Sequence, residues 1–163
     1  MATPDQFPEE AVVIDETGEG TFQVRVNTGD HIFLMDEPVN YGGLGSGPNP
    51  FDLLSAALGA CTLMTMKLYA QRKGWALEPL RVRVTHQKGS AANRDRFDRV
   101  LELGDVTDEQ REGLLKIAQR CPVHLLLERG ADVTATVAAE ALEGPVADGM
   151  YAQELDEACT DTD

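Results

Sequence analysis

The chain has no apolar run near the roughly 20 residues that a membrane-spanning helix needs, and no basic stretch precedes a short apolar one at its start. Both absences argue against a bilayer span and a secretory leader, so a cytoplasmic protein is expected. Positive charge is scarce: 14 Lys and Arg stand against 28 Asp and Glu, for a net charge of -14. Such a surface repels phosphate backbones and anionic lipid, which excludes nucleic acid and membrane surfaces as expected partners. Arg25 is the only Arg or Lys before residue 67, and none falls in residues 140–163, where eight acids gather. The expected organisation is a loose N-terminus over residues 1–10, one domain over 11–140, and a mobile acidic tail over 141–163. Aromatic residues are few, at 6%, yet 42% hydrophobic and 26% charged residues describe an ordinary globular domain rather than collagen, coiled coil or disorder.

Cysteine is also sparse. Cys61, Cys121 and Cys159 are an odd set without framework spacing, which excludes a disulfide scaffold and suits a reducing compartment. There a disulfide is catalytic or redox-sensing. Cys159 lies among carboxylates that disfavour its thiolate, and is read as exposed and incidental. The glycine-rich GGLGSG lacks the Gly-Lys-Ser/Thr of a phosphate loop, and no G-x-S-x-G elbow occurs. Cys121 and His124 form C-x-x-H without a second pair, so no metal site is expected, and no cofactor.

What is present divides by periodicity. Val12 and Ile14, then Phe22, Val24 and Val26, then Ile32 and Leu34 alternate with polar residues, and turn-forming stretches separate them. That pattern predicts a three-stranded antiparallel meander. Asp36 to Asn49 carries four glycines and two prolines, which predicts a loop without regular structure. Asn49 as N-cap, Pro50 at the first helical position and Asp52 in the first turn open a helix that should end at Lys73, before Gly74. From Leu53 to Met66 it carries no charge. A helix apolar all round is expected to be buried all round, and in a chain of this size a second subunit has to cover one face. Gly59, costing about 1 kcal/mol inside a helix, points to the close approach of another backbone. Leu80–Gln87 and Phe97–Leu103 read as a hairpin. Thr107 and Gln110 form a capping box for a second helix that ends before Pro122. Asp132–Ala138 reads as a last strand. The order βββ-α-ββ-α-β predicts an α+β fold.

The helices carry one thiol each, Cys61 in LGACTLM and Cys121 in RCPVH. Either alone serves equally well as a small apolar core residue. The stretch DEPVNYGGLGSGPNPFDLLSAALGACTLMTMKLYAQRKGW, with its Gly/Pro loop, Asn-Pro helix start and Ala-rich turn ending in Cys, resembles the OsmC/Ohr family, named for osmotically inducible protein C and organic hydroperoxide resistance protein. DEQREGLLKIAQRCPVH is similar to the family's second helix and second cysteine. The resemblance covers roughly residues 20–138 and is closest to the broad OsmC-like branch. It implies antiparallel sheets around a central buried cysteine-bearing helix, in an intertwined homodimer with active sites at the subunit interface. It also implies thiol-dependent reduction of hydroperoxides, organic ones preferred, with a lipoyl-type or other small dithiol as reductant. Carried over, Cys61 is the peroxidatic cysteine and Cys121 the resolving one.

In that chemistry a thiolate attacks the peroxide, Cys61 becomes a sulfenic acid, and Cys121 condenses with it to a disulfide. Only a few per cent of an ordinary thiol is ionised at neutral pH, and burial lowers that fraction. Cys61 stands about 16 Å along its helix from Pro50, out of reach of that helix's dipole. A cation must come from elsewhere. The resemblance implies an arginine from the N-terminal strands and a glutamate at the start of the cysteine helix. Arg25 lies a few residues later than that arginine. Phe51 holds the glutamate's place, with Asp52 one residue over. Arg25 also suits an outward-facing strand position, Asp52 also completes the N-cap, and Glu37 is a further carboxylate. Trp75, Phe51 and Tyr41 are candidate walls of an apolar substrate pocket, or core. His124 packs or caps, and His31 and His86 are read as surface residues. Two rival functions remain: a non-enzymatic module binding an apolar or acyl ligand at the dimer interface, and a thiol redox sensor that passes its disulfide to a partner.

Overall fold

The computed structural model describes residues 11–29 and 31–140; the expected loose N-terminus and the acidic tail with Cys159 lie outside the described residues. The described residues group into two compact units. One runs to Leu53 and takes in the stretch from Val133; the other is Leu54–Asp132.

The first unit holds the expected meander: β1 (Val13–Glu16), β2 (Val24–Asn27) and β3 (Ile32–Met35), all antiparallel in that order. Arg25 sits opposite Asp15 and Leu34 on the exposed side of β2, while Val26 beside it is buried. Alternation explains both placements, because neighbouring side chains on a strand point to opposite faces. The loop after β3 is more regular than expected, with a 3-10 turn at Val39–Tyr41. Its organiser is Asp36, which is 2% exposed. The Asp36 carboxylate accepts from the amides of Glu37 (2.8 Å), Leu44 (2.9 Å) and Ser46 (3.2 Å) and from the Ser46 hydroxyl (2.9 Å). Burial alone would raise its pKa; these bonds outweigh it and hold the carboxyl below the usual range. Gly43 makes the loop possible, because a Cβ there would strike the Glu37 carbonyl. The expected strand at Asp132–Ala138 does not form among the described residues: Val133 and Val137 are 91% and 99% exposed. The alternation there suits a strand, but a strand also needs a neighbour's amides and carbonyls, and none pairs with it.

The second unit contains most of α1 (Pro50–Lys73), then β4 (Arg81–Gln87), β5 (Arg96–Glu102), α2 (Asp108–Ala118) and α3 (Pro122–Arg129). The helix α1 begins as its sequence dictates: Asn49 Oδ1 accepts from the Phe51 and Asp52 amides at 2.9 and 3.0 Å. It closes at Gly74, whose φ of 69° is the left-handed conformation glycine takes without strain. β4 and β5 form the expected hairpin, in register from Arg81 opposite Glu102 to Gln87 opposite Arg96. The capping box at Thr107 and Gln110 is also present. The fold is therefore α+β, but its order is βββ-α-ββ-α-α. The chain after Pro122, expected to leave the helix, starts another.

One face of α1 is buried (Leu58, Gly59, Cys61, Thr62, Thr65, Met66 and Ala70), while Leu54 and Met64 on the other are 43% and 47% exposed. All-round burial is thus not achieved within the single chain. The neighbour of Gly59 is not a backbone, as expected, but a side chain: a Cβ there would lie 3.1 Å from Val84 Cγ2 of β4. By length and composition α1 meets the criterion for a membrane span, with a mean hydropathy of 1.4, yet a third of that window is buried against protein. Two apolar clusters fill the unit. Met66, Leu114, Ile117 and Ala118 make the larger one, with Trp75 set edge-on to Tyr69 at 5.6 Å beside it. The smaller is Leu58 with the two cysteines, covered by Val84, Phe97, Val123 and Leu127.

Candidate active site: two buried sulfurs at the amino end of a short helix

Cys61 projects from the buried face of α1, and Cys121 precedes α3. The exposures are 1% and 0%. Cys121 is the N-cap of α3 with Pro122 at the first helical position, and its Sγ accepts from the His124 amide at 3.3 Å. The next sulfur is served by the same turn: the Val123 amide donates to Cys61 Sγ at 3.4 Å. The first amides of a helix have no partners inside it, and they carry the positive end of its dipole. Here two of them point at two sulfurs. The sulfurs also hydrogen-bond each other, and that bond, followed by burial, pushes the Cys121 pKa far up from its ordinary value. The two thiols therefore titrate as a pair, and one proton is held between them.

A third element completes the surroundings. Arg99 of β5 reaches in on the same face as Phe97 and Leu101. Its Nη1 donates to Thr62 Oγ1 at 2.7 Å and to the Ala118 carbonyl at 2.8 Å, and its Nη2 donates to His124 Nδ1 at 2.9 Å. Thr62 Oγ1 lies 2.7 Å from the Leu58 carbonyl and 3.7 Å from Cys121 Sγ. Because arginine can only donate, His124 Nδ1 must accept, and the ring is neutral with its proton on Nε2. Burial first, then the Arg99 charge, lowers the His124 pKa and keeps it so. All three of these Arg99 acceptors are uncharged, and among the described residues no carboxylate forms an ion pair with it.

A cavity of about 270 Å³ opens beside the sulfurs. Leu58, Phe97 and Leu127, which pack on the cysteines, line it with Arg99 and His124. The wall is stiffened by His86, which is not the surface residue expected: its ring stacks on Phe97 at 4.6 Å, and its Nε2 meets Asp95 Oδ2 at 2.7 Å. Trp75 belongs to the larger cluster, and Tyr41 and Phe51, in the first unit, are 72% and 48% exposed.

Of the four expected site residues, Cys61 and Cys121 come together. Arg25 stays on β2 of the first unit, and Asp52 is held in the first turn of α1 by a 2.8 Å bond from Asn49 Nδ2. Arg99, Thr62 and the helix α3 were not foreseen. Signals for two of them were present. Cys121-Pro122 repeats the N-cap and N1 arrangement of Asn49-Pro50, and Arg99 interrupts the apolar face of Phe97, Leu101 and Leu103 in a period-two strand.

The family follows from comparison with known proteins. The OsmC-like protein family matches residues 43–136. The chain belongs to the OsmC-like family. Solved structures share its fold: a protein assigned to osmotic stress and detoxification in Psychrobacter arcticus is 20% identical with a TM-score of 0.62, over 74% of this chain and 90% of that one. The organic hydroperoxide resistance protein OsmC of Legionella pneumophila is 19% identical (TM-score 0.52, 72% and 88% covered). OhrB of Bacillus subtilis, also an organic hydroperoxide resistance protein, is 19% identical (TM-score 0.52, 73% and 89% covered). Among curated proteins none matches the chain.

Proposed function

We propose that this protein is a cysteine-based thiol peroxidase that reduces organic hydroperoxides to alcohols. The observation that carries the reading is the meeting of two buried sulfurs at the amino end of α3, where the Val123 amide donates to Cys61 Sγ and the His124 amide to Cys121 Sγ. Amide donors at the positive end of a helix stabilise a thiolate, the form that attacks peroxide. Cys61 displaces the alcohol from the terminal oxygen of ROOH and becomes a sulfenic acid. The Cys121 proton goes to the departing alkoxide. The resulting Cys121 thiolate attacks the sulfenic sulfur and expels hydroxide. In sum, one thiolate, one thiol and ROOH give a disulfide, ROH and hydroxide, and an external dithiol returns two electrons. The cavity is mixed in character: Leu58, Phe97 and Leu127 give an apolar R group a partial wall, and Arg94, Asp95, Arg99, His124 and Glu128 make up the rest. We read the working form as a cytoplasmic homodimer. The exposed apolar side of α1, including Leu54 and Met64, supports a second copy there.

The test is single-turnover oxidation of the reduced protein by cumene hydroperoxide and, separately, hydrogen peroxide. Thiols and intact mass are followed in the parent, Cys61→Ser and Cys121→Ser. Loss of two thiols per chain, absent in Cys61→Ser and halted at sulfenic acid in Cys121→Ser, is expected. Oxidation no faster than that of a free thiol sinks the reading. A second reading has its own observation, an apolar groove of about 450 Å³ between α1 and β4, floored by Gly59, Leu63, Val82 and Val84. A binding module would retain an apolar or acyl ligand through purification, visible by mass spectrometry.

A further inference from the structure

We propose that Arg99 is the positioning residue of this site: through Thr62, the Ala118 carbonyl and His124 it holds the amino end of α3 on the two sulfurs and places a positive charge beside the pair that favours the Cys61 thiolate, the part expected of Arg25. This deepens the peroxidase reading, and rests on it only for the use to which the thiolate is put.

The geometry assigns Arg99 three separate tasks. Its Nη1 ties α1 to the end of α2, since Thr62 and Ala118 share that one nitrogen at 2.7 and 2.8 Å. Its Nη2 holds α3 by His124, the residue whose amide caps onto Cys121 Sγ. The guanidinium thus fixes three elements at the point where the sulfurs meet. Its rigid fork can do this, whereas a lysine ammonium on a flexible stem offers no such planar set of donors. The third task is electrostatic. Side chains inside a protein feel a charge more strongly than they would in water, and the three acceptors found for Arg99 leave its charge uncancelled. The depressed His124 pKa, to which the Arg99 charge contributes after burial, reflects the same field.

Three other charged groups line the cavity with Arg99, and each has a partner of its own. Glu128 of α3 reaches His124 at 3.7 Å. Arg94, in the β4–β5 connection, donates to the carbonyls of Leu127 and Glu128 at the end of α3. Asp95 accepts from the Gly89 amide and pairs with His86 of β4. Arg120 precedes Cys121 in the chain. Arg99 is the cation linked to α1, α2 and α3 at once.

The experiment is a pH titration of thiolate ultraviolet absorbance on the full-length reduced protein, with Cys121→Ser and Cys159→Ser in the background so that Cys61 is followed alone. Arg99→Met, Arg99→Lys and Arg25→Gln are compared with that parent. Arg99→Met is expected to raise the midpoint by about one pH unit, close to a tenfold fall in thiolate at neutral pH. Arg99→Lys, which keeps the charge without the fork, is expected to fall between the two. Arg25→Gln is expected to titrate with the parent. A purely structural Arg99 would lower the melting temperature and leave the midpoint where it was, and that result overturns the proposal. So does an Arg25→Gln shift as large as that of Arg99→Lys. Should Arg99→Met not fold, the comparison of Arg99→Lys with Arg25→Gln decides alone. No peroxide enters the measurement, so a protein that fails to turn over hydroperoxides can still pass it.

Discussion

Cys121 does two things in this structure, and one pair of substitutions separates them. Its sulfur caps α3 by accepting from the His124 amide, and it hydrogen-bonds Cys61. Serine keeps an N-cap acceptor in the same place; alanine removes it. An N-cap replaced by alanine typically costs about 1 kcal/mol. The sulfur is 0% exposed, so losing it also forfeits burial of roughly the size of one methylene, about 0.8 kcal/mol. Cys121→Ala is thus expected to be about 2 kcal/mol less stable than the parent, and Cys121→Ser within about 0.5 kcal/mol of it. With a urea dependence of about 2 kcal/mol per molar, the alanine midpoint falls by about 1 M. The assay is urea unfolding followed by circular dichroism under reducing conditions. Single-turnover oxidation by cumene hydroperoxide runs alongside it. Neither variant can form the disulfide, but the serine variant keeps the α3 amides in place and should oxidise Cys61 faster than the alanine variant. Equal urea midpoints for serine and alanine would refute the cap. Equal Cys61 rates would show that the order of the α3 amino end does not matter to the nucleophile.

Three further outcomes are expected. Thr62→Val removes one of the two acceptors of Arg99 Nη1 in a fully buried place and should cost about 1.5–3 kcal/mol in urea unfolding, whereas Thr62→Ser, which keeps the hydroxyl, should cost less. The folded His124 has a pKa below the 6.5 of an ordinary histidine; the unfolded chain therefore binds the proton more readily, the associated stability is complete above pH 6.5, and it declines as pH falls below that value. Melting temperatures of the parent and His124→Gln should accordingly diverge above pH 6.5 and converge on acidification, and a pH-independent difference would contradict this. Asp36, lowered from 3.8 by its donors once burial is offset, contributes stability that persists above pH 3.8 and is lost as pH falls through its folded value; Asp36→Asn should remove that acid transition and loosen the 36–46 loop in hydrogen exchange.

Much of this architecture could be read from residues. Alternation marked the meander and the hairpin, and the caps at Asn49 and Thr107 fixed two helix starts, because these signals are local. The errors were of two kinds. At Pro122 a local signal was given the wrong sense: proline ends one helix and also begins another, and only the residue before it, able to accept from the following amides, tells the two apart. At Asp132–Ala138 the segment's preference was legible, but a strand is made by its partner. The site divides along the same line. The two cysteines stood out as isolated thiols on two elements. Their joint service by the amides of one turn is a fact of three dimensions. So is the convergence of Thr62, Ala118 and His124 on Arg99, since residues 37, 19 and 25 positions away from it carry no mark of their meeting.

Both sulfurs lie beneath the surface of the chain. A buried thiol is guarded from chance encounters with bulky disulfides, and what reaches it is sorted by size and polarity at the cavity beside Phe97 and His124. In the proposed cycle the same cover would lie over the Cys61–Cys121 disulfide. A dithiol reductant has to approach a disulfide sulfur along the bond it will break, and Leu58 and Leu127 stand close by. On the proposed function, some part of the wall opens once per cycle. On the proposed function, the burial that covers both sulfurs makes this opening, rather than sulfur chemistry, the expected brake on the steady-state rate. Loosening the contacts over the pair should then quicken re-reduction while exposing Cys61 to irreversible over-oxidation.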